Sequence, residues 1–386
     1  MRTMVPYYYK DFKCVGSKCT DTCCAGWEIV IDEETHAHYT NVSGEFGERL
    51  KSNLTLYEDG EPGFVLQNDN CPFLNKTNLC DIYTELGEDC LCYTCKTYPR
   101  FEEEYGSLRE IGISLSCPEA ARLILLDSKP VTFEVSEDDE MVCTYDDINF
   151  DLFTHMISSR KIALDIVQNR SISLNHRIVL LVNFAHDIQE KINKNNLSQI
   201  ADIRNKYSQE YYQKDLINIV DQYEIKQNHK YDNMLKYMNI YKNLNPINDN
   251  WPKIIEHAIN CFHKTDDIAF YQKQYDDFNE YYKNKTYEYE NLMVYFIFQY
   301  FMKSIFDEEL YSKVTLAVMS YLIIKELDVV RWIDNKYSFD INDQIDIMHM
   351  YSREIENSEK TLYDLEEMFN TNKLFDLKEL LILIMS

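Results

Sequence analysis

Glycine is missing from the last two thirds of this chain. All nine glycines precede Pro118, and proline after Asp146 occurs only at Asn245-Pro246 and Trp251-Pro252. Turn chemistry of the Gly and Pro kind is therefore confined to the first third, and only that part reads as irregular and loop-rich. Long apolar runs are also absent. The stretch from Thr315 to Leu327 is broken by Lys325 and Glu326 and is too short to span a bilayer. The opening Met1-Arg2-Thr3-Met4-Val5-Pro6 runs into Tyr7-Tyr8-Tyr9-Lys10 without the apolar segment of a secretory leader. Positive charge is scarce: 39 Lys and Arg face 65 Asp and Glu, a net charge of −26. Such a balance argues against nucleic acid and anionic membranes as partners, since both need Lys and Arg. It suits basic partners, or solubility alone. The expectation is a cytoplasmic protein.

Cysteine, by contrast, is abundant, and ten of the twelve cysteines lie before Pro118. They fall into four groups: Cys14, Cys19, Cys23 and Cys24; Cys71 and Cys80; Cys90, Cys92 and Cys95; and Cys117. In a reducing compartment this density points to metal binding or catalysis before disulfides. Short spacings let one loop offer several thiolates to one soft or borderline metal, so zinc and iron–sulfur both remain open. The spacing matches neither a paired CxxC ribbon nor the bacterial ferredoxin run.

The 386 residues suggest two or three domains. The expected fold class is mainly α. An irregular α+β cysteine-rich metal-binding domain over residues 1–145 precedes an all-α helical domain over residues 146–386. In the first part, Trp27 to Ile31 reads as a strand and Asp32 as a helix cap. Phe101 to Ser116 reads as a hairpin turning at Gly106-Ser107. Pro118 opens a helix, and Val131 to Val135 forms another strand. An acidic run from Glu137 to Glu140 marks a linker. Beyond it, apolar residues recur at helical spacing, as in Ile178, Leu181, Phe184 and Ile188.

The motifs carry a resemblance. Cys-x-Gly-Ser-x-Cys-x-Asp-x-Cys-Cys-x-Gly-Trp at Cys14 to Trp27 resembles the opening signature of the flagellin lysine-N-methylase (FliB) family. It is followed in order by Asn70-Cys71-Pro72-Phe73-Leu74, Leu86-Gly87, Thr94-Cys95, Tyr98-Pro99-Arg100 and Ser114 to Glu119. The core of these motifs is also similar to a cysteine-cluster family of the zinc/iron-chelating type. Downstream likenesses are Gln168-Asn169-Arg170 with Arg177, Glu290-Asn291 before Tyr295, and Ser352-Arg353 before Glu356; Asn357 departs from the family, which has histidine there. The resemblance implies methyl transfer from S-adenosylmethionine to lysine amines of flagellin, with an iron–sulfur centre. Its metal ligands would be Cys14, Cys19, Cys23, Cys24, Cys71, Cys80, Cys95 and Cys117, with Cys90 and Cys92 fitting the pattern less closely. Catalytic candidates are Glu290, Asn291, Tyr295 and Arg353. Candidates for the donor site are Arg160, Gln168, Arg170 and Arg177. All eight are expected on the helical wall of one cleft between the two domains.

Lysine methylation needs a neutral amine, hence a neighbouring base or burial. Glu28, Glu110, Glu119 and Glu290 all qualify by type, and spacing singles out none. A Rossmann-type donor site would show a glycine-rich loop after a strand, but Gly44-Glu45-Phe46-Gly47 lacks both the strand and the third glycine. The alternative is a non-enzymatic metal-chelating or redox-sensing protein whose helical part serves interactions.

Overall fold

The computed structural model describes residues 1–57, 60–68, 70–139, 148–223, 228–265 and 267–386. The first third contains β1 (Arg2–Pro6), α1 (Glu33–Asn41), α2 (Gly44–Ser52), β2 (Leu54–Leu56), β3 (Pro62–Phe64), α3 (Asp81–Leu86), α4 (Tyr93–Thr97), β4 (Arg100–Tyr105), β5 (Leu108–Ile113), α5 (Pro118–Leu126) and β6 (Phe133–Glu137). Only helices follow among the described residues. They are α6 (Phe150–Val167), α7 (Leu174–Asn193), α8 (Ile200–Tyr207), α9 (Glu210–Val220), α10 (His229–Lys242), α11 (Trp251–His263), α12 (Ile268–Tyr282), α13 (Tyr287–Tyr300), α14 (Ser304–Asp307), α15 (Leu310–Asp334), α16 (Ile341–Ile355), α17 (Glu359–Thr371) and α18 (Leu377–Met385). The mainly α class is as the glycine distribution predicts. The boundary expected at 145/146 lies in 140–147, outside the described residues.

The hairpin β4–β5 turns at Gly106, whose φ of +60° suits glycine. Four strands form one sheet in the order β4-β5-β1-β6, with β1 parallel to β5 and antiparallel to β6. Strand β1 was not anticipated; its partners lie about a hundred residues away, from Arg2 against Leu108 to Met4 against Glu110. Trp27 to Ile31 is not the expected strand. It forms one isolated bridge, Val30 to Gly63, and a second, Ala25 to Asn70, precedes it. The reason is competition: Ile31 N–H bonds Pro62 O at 2.8 Å while the Val30 carbonyl is taken by Thr94 Oγ1 at 2.9 Å, so no ladder propagates.

Two hydrophobic cores result. The larger joins sheet residues Tyr105, Leu108 and Ile113 and α5 residues Ala120, Ile124 and Leu125 to the helical part. Its axis is α15, buried continuously from Leu310 to Ile324. A helix apolar on all sides is a core helix, and no described helix is long and apolar enough to cross a membrane. The smaller core holds Ile29, Ile31, Tyr39, Leu50, Phe64, Phe73 and Ile82, together with Cys71 and Cys92.

Candidate active site between the cysteine segments and the helices

The small core gathers the cysteine motifs. Asp32 caps α1 by accepting from Thr35 N–H at 2.9 Å, and its other oxygen accepts from Tyr93 N–H at 2.8 Å. This ties the third cysteine group to the first. Cys71 N–H donates to Cys24 O at 2.7 Å and ties in the second. The Tyr98 ring lies 5.6 Å from Trp27, and its hydroxyl donates to Ser116 O at 2.9 Å, which brings the Cys117 segment alongside.

Cys24, Cys80 and Cys95 consequently pack on the same small core as Cys71 and Cys92. Cys23 lies within electrostatic reach of Cys24, Cys71, Cys80 and Cys117, and Cys19 within reach of Cys14 and Cys23. Burial pushes the Cys71 and Cys117 thiols up to about 12 and also raises Cys80 and Cys19. The hydrogen bond between Cys92 and Cys95 holds Cys92 down and drives Cys95 up. Cys92, ranked low from sequence, thus sits inside the group.

Among the described residues, no three His, Cys, Asp or Glu side chains stand in the arrangement of a ready-made ion site. The donor set nevertheless fits a soft or borderline centre in kind: it is sulfur-rich, drawn from four segments, and its buried thiols would release protons on binding a cation.

Helix α16 closes over this region. The Arg353 guanidinium bonds Asp21 and Ala25 O, and reaches Thr22 O at 3.1 Å, all within the loop that bears Cys19, Cys23 and Cys24. Gly26 turns at φ +80°, and a Cβ there would stand 3.2 Å from Arg353 Nη2. One turn earlier on α16, His349 faces Asp21 at 3.5 Å through Nε2 and Ser116 O at 3.4 Å through Nδ1. The Glu354 carboxylate accepts from the Ile247 and Asn248 amides at 2.9 and 3.1 Å. These residues line a cleft of about 540 Å³ that also contains Asn70, Asp249 and Asp346. It lies between the loop around Asp21 to Gly26 and the helices, and none of the described residues that line it is a cysteine.

The eight candidates do not line this cleft together. Arg353 alone does. Arg160 is spent on a buried ion pair with Glu110 that fastens α6 to β5. Glu290 is buried and accepts from Arg170 at 2.8 Å and from Arg177 at 2.6 Å. Three of the surrounding donors grip one backbone segment, Arg170 on Ser128 O, Gln168 on Val131 O, and Asn291 on Ile124 O and Asp127 O, while Arg177 bonds Val167 O at 2.6 Å. Gln168, Arg170 and Asn291 thus form a clamp on the chain leaving α5, with Glu290 held between Arg170 and Arg177 beside it. Of the other carboxylates considered, Glu119 pairs with Arg122 at 2.6 Å and Glu28 is exposed. Tyr295 has a third location, described below.

The family model of the FliB lysine N-methylase C-terminal domain matches residues 160–383. The chain belongs to the FliB lysine N-methylase family. It is 32% identical over 128 residues to the flagellar biosynthetic protein FliU of Salmonella muenchen, which covers 32% of this chain and 76% of that protein. It is 32% identical over 130 residues to the lysine-N-methylases of Salmonella choleraesuis (strain SC-B67) and Salmonella typhimurium (strain LT2), in each case over 32% of both chains. The match therefore spans about a third of those two lysine-N-methylases. No solved structure matches the chain.

Within the FliB C-terminal domain lie three carboxylates, Glu356, Glu326 and Asp328, that sequence reasoning did not single out as site residues. Tyr295 and Tyr300 donate to Glu356 Oε2 at 2.9 and 3.0 Å. Glu356 Oε1 is buried without a partner; Ser352 Oγ is close but outside hydrogen-bonding geometry. Burial pushes this carboxyl up to about 7, against the opposing pull of its hydroxyl neighbours. On α15, Glu326 accepts from Tyr271 at 3.1 Å and from Tyr275, and Asp328 accepts from Tyr289 at 2.6 Å. The available signal was Glu326 and Asp328 standing amid Ile323, Ile324, Leu327, Val329 and Val330 on a helix with no polar face.

Burial raises Asp328 from an ordinary 3.8 to about 8. Between those pH values the unfolded chain has lost a proton that the folded chain retains, so Asp328 makes stability fall as pH rises through that window. Asp328→Asn cannot ionise and removes this loss. Denaturation midpoints at pH 5 and pH 8 should show the variant gaining on the parent at the higher value; a constant difference would contradict the burial argument.

Proposed function

We propose that this FliB-family protein transfers a methyl group from S-adenosylmethionine to lysine amines of flagellin. In this reading Cys14, Cys19, Cys23, Cys24, Cys71, Cys80, Cys95 and Cys117, with Cys92 beside Cys95, hold an iron–sulfur centre, zinc being the alternative. A cytoplasmic location belongs to the same reading. The observation that carries it is the reach of Arg353, from the FliB domain, into the loop bearing three of the cysteines. A chelator would need only the cysteine segments; here the two parts build one cleft.

The cleft's chemistry suits a lysine. Asp21, Asp249, Asp346 and Glu354 outnumber Arg353 as full charges, so the wall favours an ammonium group. His349, buried and held below its ordinary range chiefly by desolvation, is neutral at pH 7 and leaves that preference intact. A centre held by the cysteines would supply Lewis acidity toward the donor's amino and carboxylate groups at a coordination position left free of thiolate.

The test is direct. Anaerobically purified protein is incubated with S-adenosylmethionine and flagellin, and lysine peptides are examined for added methyl mass. Methylated lysines support the reading; metal content without any transfer would return the chain to the chelating or redox-sensing alternative. A broad visible absorption band identifies iron–sulfur, and a colourless metal-loaded protein identifies zinc.

A further inference from the structure

Among the described residues, four carboxylates line the cleft: Asp21, Asp249, Asp346 and Glu354. An incoming cation is drawn most strongly to one whose charge is not already answered within the protein. Asp21 is ion-paired with the Arg353 guanidinium and faces His349 Nε2 at 3.5 Å. Asp346 is ion-paired with Arg331 at 2.8 Å. Glu354 has both oxygens engaged by backbone, Oε2 with the Ile247 amide at 2.9 Å and Oε1 with the Asn248 amide at 3.1 Å. Asp249 is left. It is exposed, and its side chain has no hydrogen bond or ion pair among the described residues.

The backbone that carries Asp249 is nonetheless fixed on both sides. Before it stand the two amides held by Glu354. Around it, Asn248 Oδ1 accepts from the Asn250 N–H at 2.9 Å, and Asn248 O accepts from the Trp251 N–H at 2.9 Å. Trp251 is buried and donates its indole N–H to Tyr241 O at 3.0 Å. Ile247 Cγ2 stands 3.6 Å from where a Cβ on Gly26 would lie, so the 247–250 segment abuts the loop that Arg353 holds. Asp249 is thus a free charge on a fixed backbone.

From this pattern we infer that Asp249 is the specificity-determining carboxylate that receives the primary ammonium group of the substrate lysine, and that Glu354 is the positioning residue that holds the 247–250 segment for it. This role rests on the methyl-transfer reading for its substrate and on the cleft's ion pairs for the choice of residue. Methyl transfer uses the neutral amine, so an ion pair to the ammonium belongs to capture, and its loss shows in KM before kcat. Asp249 is exposed, which keeps the expected effect to severalfold.

Two readouts test it. In methyl-transfer assays, Asp249→Asn should raise KM for flagellin about fivefold and move kcat less, and Asp249→Glu should recover part of the loss. An unchanged KM in D249N overturns the role of Asp249. Glu354→Ala should raise KM to a similar extent, and Glu354→Gln, which keeps one acceptor, should raise it less. Because Glu354 acts through Asp249, adding E354A to D249N should raise KM little further; effects that multiply would overturn the positioning role. If E354A does not fold, E354Q takes its place in the double variant. The second readout needs no turnover. N-acetyl-lysine methylamide and its Nε-acetylated, uncharged counterpart are titrated into the metal-loaded protein by saturation-transfer NMR. The parent should bind the charged probe severalfold more tightly, and D249N should bind the two alike. Equal binding by the parent, or a preference retained in D249N, overturns the subsite. If the parent prefers the charged probe through Asp249 yet never methylates flagellin, the subsite stands and the methyl-transfer reading falls. If it methylates flagellin and D249N leaves KM unchanged, the reading stands and the subsite falls.

Discussion

Replacing Glu290 by alanine is expected to lower stability by about 3–5 kcal/mol, because it strands a buried charge. Arg177 is the decisive partner: its side chain is only 5% exposed and would lose its carboxylate. Arg170 is 39% exposed and can turn to water, so its share is small. The loss would spread, since Arg170 also holds Ser128 O and Asn291 holds the chain end of α5. Glu290→Gln keeps an acceptor and should cost less, though it still leaves Arg177 without a counter-ion. Chemical denaturation monitored by circular dichroism checks both. A midpoint for E290A indistinguishable from the parent would show that the clamp does not support the fold. In conditions where E290A remains folded, methyl transfer should persist; a large fall in kcat at full helicity would instead place Glu290 in the reaction.

Arg353→Ala should have the opposite signature, with overall helicity kept and methyl transfer reduced on the order of 100-fold, the scale set by misplacing reacting groups by about 1 Å. Its guanidinium holds three acceptors on one loop, Asp21, Thr22 O and Ala25 O. Lysine cannot present that planar fork, so Arg353→Lys should recover little. Metal should be retained, because Cys71, Cys80, Cys92 and Cys95 are held by the small core and not by α16. Metal analysis with steady-state kinetics on both variants decides this. Unchanged turnover in R353A would remove the cleft from the reaction.

These two residues show what the sequence disclosed and what it withheld. Both came from the same family likeness, and sequence alone placed them in one cavity. The structure separates them because a long charged side chain finds its partner in three dimensions: Arg160 with Glu110, Arg177 with Glu290, Arg353 with Asp21. Local signals fared better. Pro118 opens α5, Asp32 caps α1, and the lack of glycine announced the helices. Strand β1 was hidden because its short run pairs with β5, about a hundred residues away in sequence. Glu356 was hidden for a different reason. It follows α16 at a point where the sequence resembles an ordinary polar helix end, and only the approach of Tyr295 and Tyr300 shows that its carboxyl is buried. Asn357, the departure from the family motif, is exposed and takes no part in that network.

The central claim is methyl transfer to lysine at the junction of the cysteine segments and the FliB domain. The most direct measurement uses metal-loaded protein, flagellin and S-adenosylmethionine carrying a trideuterated methyl group, with lysine peptides read by tandem mass spectrometry. The account predicts intact trideuteromethyl groups on flagellin lysines with the parent protein and a steep loss with R353A. Unlabelled lysines with the metal-loaded parent, or equal labelling by parent and R353A, would contradict it.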